Sequence, residues 1–249
     1  MKGSIAGTLG LALVLGTVVV GAVSTALELR RAPEPAEGAV VPSVEASAVE
    51  EPAAAAPVPV LLVPGWLDTG RDLAALRIRL IGAGWQSSHV ETLTFAEPTG
   101  SNRDHATELG AALTALMART GASEVDLVSH SMGGLAVRWY LMSRPEAPVR
   151  RVVFVASPHR GTLSAHLSWG GGREEMMPES PFLDTLNASA PAPAGVESIT
   201  IRTTVDTHIV PGESATLPGV SDHEICCPTH AGMLRDEEVF AIVRRFLGG

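Results

Sequence analysis

From Val58 onward, short apolar runs alternate with stretches in which apolar residues recur every three to four positions. The first pattern belongs to strands buried on both faces and the second to helices laid across them, so the chain reads as a parallel sheet covered on both sides. Strands are predicted at Val58–Val63, Val90–Phe95, Glu124–Val128, Val149–Val155 and Ser198–Val205, with a weaker one at Ser221–Cys226. Helices are predicted at Leu73–Ile81, Arg103–Arg119, Leu135–Ser143 and Asp236–Leu247. In the second of these, Leu109, Leu113, Leu116 and Met117 share one face. The expected fold is α/β, with about six mostly parallel strands and helices on both faces. Right-handed connections then place the loops that follow the strands along one edge, where a site is expected.

The pattern before Val58 is different. Residues 5–27 carry no charge and are rich in Leu, Val, Ala and Gly; roughly 23 apolar residues are enough to span a bilayer as a helix. Residues 1–31 are therefore read as a signal peptide or an N-terminal membrane anchor, and their flanking charges nearly cancel as a topology signal. Residues 32–57 form an Ala/Pro/Glu-rich tract without periodicity, the composition of a semi-extended linker. Residues 58–249 are left as one domain. A tether behind an apolar segment points to a secreted or membrane-anchored extracellular protein, which could meet a membrane or lipid surface through its N-terminal segment.

Composition narrows the chemistry. A formal charge of -9 and a pI near 5.3 argue against a nucleic-acid partner, whose phosphates would be repelled. Cys226 and Cys227 are the two cysteines of the chain and are adjacent. Neighbouring Cα atoms lie closer than a disulfide prefers, so the pair is read as two small buried residues beside a loop, with a redox role as the alternative. No Cys/His spacing of a structural zinc site occurs.

Ser129-His130-Ser131-Met132-Gly133 joins the run Val125–Val128 to the helical stretch that starts at Leu135. A serine hydroxyl is a weak nucleophile near neutral pH and needs a tight turn, a neighbouring base and the positive end of a helix. The small residues Ser129 and Gly133 permit such a turn where strand and helix cross. A string of this kind arises readily by chance, and its flanks give it weight. The base in turn needs a group that fixes its tautomer, and for a strand-turn-helix serine the chain order is Ser, acid, His. Asp206 follows the strand ending at Val205, and His230 precedes the last helix. Among the rivals, His130 should leave the turn on the wrong side to take the serine proton, His159 and His166 precede the acid strand, and His208 is too near Asp206 in sequence to face it easily. His223, Asp222 and Glu224 are expected in exposed turns. Oxyanion donors are expected at Met132, after the nucleophile, and at Trp66, where Gly65 lets the backbone come close.

At these residues the chain resembles the α/β-hydrolase superfamily, and within it the compact bacterial triacylglycerol lipases and esterases known as class 2 lipases. The matching pieces are Val63-Pro64-Gly65-Trp66, Ser129 to Leu135, Ser157 to Thr162, Ser180 to Asn187, Asp206 and His230 to Leu234, within a stretch from about Val58 to Leu247. The resemblance implies an α/β-hydrolase fold, Ser131 as nucleophile, Asp206 as acid, His230 as base, and Trp66 and Met132 as oxyanion donors. Two positions depart from the common pattern: Pro64 stands where many lipases have His, and Ser129 where many have Gly. Ser164 to Pro193, with Gly170-Gly171-Gly172, Met176-Met177 and Trp169, reads as a mobile insertion. It is either a small lid over an acyl groove or a surface connection.

The expected activity is that of a serine hydrolase cleaving carboxylic esters, lipid or triacylglycerol esters first among them, as a monomer and with no metal or organic cofactor. The same triad would serve an acyltransferase or amidase. A non-enzymatic binding protein on a hydrolase fold is the remaining alternative, and a broken triad would be its sign.

Overall fold

Val60, Leu61, Leu62 and Val63, which form β1 (Val60–Val63), are all fully buried, and successive residues are buried in opposite directions. Val60 and Leu62 pack with Leu73, Leu76 and Leu80 of the first helical region and with Val239, Val243 and Leu247 of the last helix. Leu61 and Val63 pack instead with Leu109, Leu113, Leu116, Val137 and Leu141. A strand with apolar residues on both pleats requires a layer on each side, and each such side chain contributes about 1.5–3 kcal/mol on burial.

The computed structural model describes residues 57–248. The expected signal or anchor at 1–31, and all of the 32–57 linker but its final residue, lie outside the described residues. Beyond β1 the elements are α1 (Ala74–Gly82), β2 (Val90–Thr92), α2 (Asn102–Thr120), β3 (Val125–His130), α3 (Gly133–Ser143), β4 (Val149–Val155), α4 (Gly171–Met176), α5 (Pro181–Asn187), β5 (Glu197–Thr203), β6 (Ser221–Ile225) and α6 (Glu237–Leu247). The six strands pair in the order β2-β1-β3-β4-β5-β6, every pair parallel. Strand order reverses between β1 and β3, so a crevice opens beyond their carboxyl ends.

Helix ends follow local chemistry. Asp236 caps α6, its Oδ1 accepting from the backbone of Glu238 at 2.9 Å and Val239 at 3.1 Å. Glu237 and Glu238 occupy the first turn, Arg244 and Arg245 the last, each sign where the helix dipole favours it. Among the described residues, no helix is long and apolar enough to cross a membrane.

The insertion differs from its expectation. It contains α4 and α5, and its glycines are close-packed: a side chain on Gly170 would strike Thr99, and one on Gly172 would strike Met132 and the carbonyl of Gly100. Glu175, buried in α4, fastens it to the start of α2. Its carboxylate accepts from Asn102 N at 2.6 Å, Asn102 Nδ2 at 2.9 Å, Ser101 Oγ at 2.7 Å and Arg103 Nη1 at 2.6 Å. One carboxylate thus satisfies a free helix N–H, a buried amide and a cation. Cys226 and Cys227 also depart from the reading of two small buried residues, being exposed and bonded to each other on the turn after β6. Glu175→Ala is expected to lower stability by about 2–3 kcal/mol, since it strands buried donors that bonded to a charge; an unchanged denaturation midpoint in urea would contradict the anchoring role.

Candidate active site

β3 ends at His130, and the chain then turns so sharply that Ser131 takes φ +52°, a left-handed conformation rare for residues with a side chain. The Ser131 N–H still donates to Val155 O at 2.8 Å, which holds the turn against β4. Gly133 is required two residues later. A Cβ there would run into the carbonyl of Pro64, so its absence lets the loop after β1 close onto the start of α3. Gly134 likewise faces Ser157 and Phe154. The crowding at Gly133 is therefore against the β1 loop, not at the strand-helix crossing that the sequence pointed to. Ser129 is fully buried beneath the turn, its hydroxyl donating to Val153 O at 3.3 Å.

The loops after β5 and β6 bring Asp206 and His230 to the same edge. His230 Nδ1 lies 2.8 Å from Asp206 Oδ2, and their side chains are only 8% and 3% exposed. The other carboxylate oxygen of Asp206 accepts the backbone N–H groups of His208 at 2.8 Å and Ile209 at 2.9 Å. Burial alone would raise the Asp206 pKa, but the bond and charge of His230 and these two N–H groups outweigh it and hold it below the usual carboxylate value. For His230, burial is the largest influence and pushes its pKa below 6.5; the Asp206 bond opposes this, while nearby His130 and His208 reinforce it.

Ser131 and His230 line one cleft of about 550 Å³, together with Trp66, Leu67, Leu167, Met176 and Ile209. The Ser131 hydroxyl is not hydrogen-bonded to His230 in this state; such contacts commonly tighten only with substrate bound. Among the described residues, the backbone N–H groups of Trp66 and Met132 have no acceptor, whereas that of Leu67 is bonded to Pro98 O at 3.3 Å. Met132 stands at the N-terminus of α3, where an anion is favoured. Trp66 is held from the side by its own ring, whose Nε1 donates to Trp169 O at 3.1 Å.

The structure thus gathers Ser131, Asp206, His230, Trp66 and Met132. It also adds residues that sequence reasoning passed over. His208 does reach the site, its ring stacked on that of His230 at 4.7 Å between centroids. His130 lines the cleft as well, bonded to Asp68, a residue that had not been singled out. Of the other rivals, Asp222, His223 and Glu224 lie on β6 itself and not in a turn, and the two carboxylates pair with Arg202. His159 is fully buried against the edge of Phe154. Asp206, His208 and His230 form a group whose potential metal-ligating atoms lie within 4.8 Å of one another, but in the structure His230 Nδ1 and an Asp206 oxygen face each other.

No family model matches the chain. Among solved structures, Aspergillus fumigatus lipase B is similar with a TM-score of 0.67 and 22% identity, over 78% of this chain and 53% of that one. The chain thus spans about half the length of that lipase. Bacillus licheniformis lipase BlEst2 in its mature form aligns with a TM-score of 0.64 and 17% identity, over 80% of this chain and 95% of that one. The phospholipase PlaB from Legionella pneumophila gives 0.67 at 14% identity, over 78% and 60%. At these identities the likeness is one of fold. The fold is the α/β-hydrolase fold.

Because Ser131 is left-handed, Ser131→Gly is expected to be more stable than Ser131→Ala by about 1 kcal/mol. Equal unfolding free energies for the two variants would show that the turn is not strained in solution.

Proposed function

We propose that this protein is a serine hydrolase of carboxylic esters, acting on lipid esters of short to medium acyl length. The observation that carries the reading is the 2.8 Å bond between His230 Nδ1 and the buried Asp206, made in the cleft that also holds Ser131. That bond fixes the tautomer in which Nε2 is free to accept a proton.

In the proposed reaction Ser131 Oγ attacks the acyl carbonyl while His230 Nε2 takes the hydroxyl proton. The N–H groups of Trp66 and Met132 meet the developing oxyanion. His230 then passes its proton to the leaving alkoxide, an acyl-enzyme remains on Ser131, and a water deprotonated by His230 releases the acid. Asp206 stays ionised throughout and balances the imidazolium, consistent with its depressed pKa.

Support for an apolar acyl group comes from the cleft's composition and rim. Trp66, Leu67, Leu167, Met176 and Ile209 line it, and Leu163, Leu167 and Trp169 are exposed beside it. Apolar side chains left in water at a cleft mouth fit a substrate presented at a lipid surface. The charge-free stretch at 5–27 supports a setting outside the cytoplasm, secreted or tethered.

Two measurements test the reading. Ser131→Ala and Asp206→Asn should each lower kcat on chromogenic esters by about 10³-fold or more with the fold intact; undiminished turnover by Ser131→Ala would remove the nucleophile. His230 must be neutral to act as base, and its pKa lies below 6.5, so kcat/KM should be at its plateau above that pH and fall only as the pH drops below it. An acid limb centred above 6.5 would contradict the assignment.

A further inference from the structure

We infer that Asp68 and His130 form a second aspartate-histidine pair, which positions His230 through its backbone; the inference rests on the reaction proposed above. His130 adjoins the nucleophile, yet both of its ring nitrogens are committed elsewhere. Nδ1 lies 2.9 Å from Asp68 Oδ2, and Nε2 lies 3.2 Å from the carbonyl oxygen of His230. The side chain is 2% exposed. Both partners are acceptors, so the two bonds are made together only when both nitrogens carry hydrogen. Each ring nitrogen thus faces a partner other than the Ser131 hydroxyl.

These two bonds tie two loops to the end of a strand. Asp68 closes the turn that follows β1, its N–H donating to Gly65 O at 3.2 Å beside Trp66. His130 is the last residue of β3, and His230 sits on the loop beyond β6. His230 is therefore held twice, by Asp206 at its ring and by His130 at its main chain. The second hold fixes the point from which the imidazole projects, and displacement of a catalytic group by about 1 Å costs on the order of 10²-fold in rate. Asp68 and His130 touch no reacting atom in this scheme, and both are positioning residues.

A histidine that merely filled space would behave differently under two substitutions. His130→Gln keeps an amide N–H near the place of Nε2, so the bond to His230 O can persist; His130→Leu removes it at similar volume. On a soluble chromogenic ester, His130→Leu should lower kcat about 10- to 100-fold with KM little changed, and His130→Gln should recover most of that loss. The pH profile gives a second readout. The charged or titratable groups facing His230 are Asp206 and His208 from the loop after β5, His130 from β3 and Asp68 from the loop after β1. Of these, His130 depresses the base, so His130→Gln should move the acid limb of kcat/KM to higher pH. Recovery by Gln together with that shift supports positioning. Wild-type kcat in His130→Leu, or no recovery by Gln, overturns it. Should His130→Leu not fold, Asp68→Ala, at a partly exposed site, takes its place: a lower kcat at unchanged KM supports the pair, and an unchanged kcat overturns it. Wild-type protein that neither cleaves esters nor labels at Ser131 with a fluorophosphonate would refute the proposed reaction itself, whereas an active wild type with indifferent variants would refute only the positioning pair.

Discussion

The left-handed turn at Ser131 is the constraint around which the carboxyl edge of the sheet is built. A side chain in that conformation costs about 1–2 kcal/mol, and it persists only where neighbours leave no alternative. Here the neighbours are β4, which takes the Ser131 N–H, and the loop after β1, which reaches the helix start because Gly133 has no side chain. The same approach sets the loop that carries Trp66 beside the start of α3. The closeness of Pro64 to Gly133 therefore couples the Ser131 turn to the loop after β1.

Around that turn the site concentrates imidazoles and carboxylates. The rings of His130 and His208 each lie 4.7 Å from that of His230, while Asp206 and Asp68 supply the negative charge. The basicity of His230 is thus lowered by burial and by the neighbouring imidazoles and partly restored by Asp206. An imidazole tuned this way takes up its proton at lower pH than a free one, at the expense of basic strength.

How much of this was legible in the sequence depended on how local the determinant was. β4 was predicted at Val149–Val155 and is found there, because a nearly continuous apolar run, broken by Arg150 and Arg151, states its own burial. β2 was expected to reach Phe95 and stops at Thr92. Its partner β1 ends before Pro64, which has no N–H for the next rung of the ladder, so the limit on β2 lay in another strand. Ser131, Asp206 and His230 could be picked out because each follows a strand in a fixed order. The bonds of His130 to Asp68 and of Asn102 to Glu175 join residues 62 and 73 positions apart, and no periodicity records them. The glycines at 170–172 show the opposite failure: a missing side chain was taken as freedom, but it serves contact with Thr99, Gly100 and Met132.

Glu175 gives the insertion an unusual division of labour. The segment is fastened ahead of its tip by Leu163 and Ser164, which bond to Val210 O and Thr207 O, and behind it by Glu175 and by α5, whose Phe182, Leu183 and Leu186 join the apolar cluster around Met132 and Leu135. Between these holds, Leu167 and Trp169 stand largely in solvent. The tip takes part in no strand pairing, yet Trp169 O accepts the Trp66 ring N–H at 3.1 Å, so an exchange there would be felt at the loop after β1 and not at the ladder.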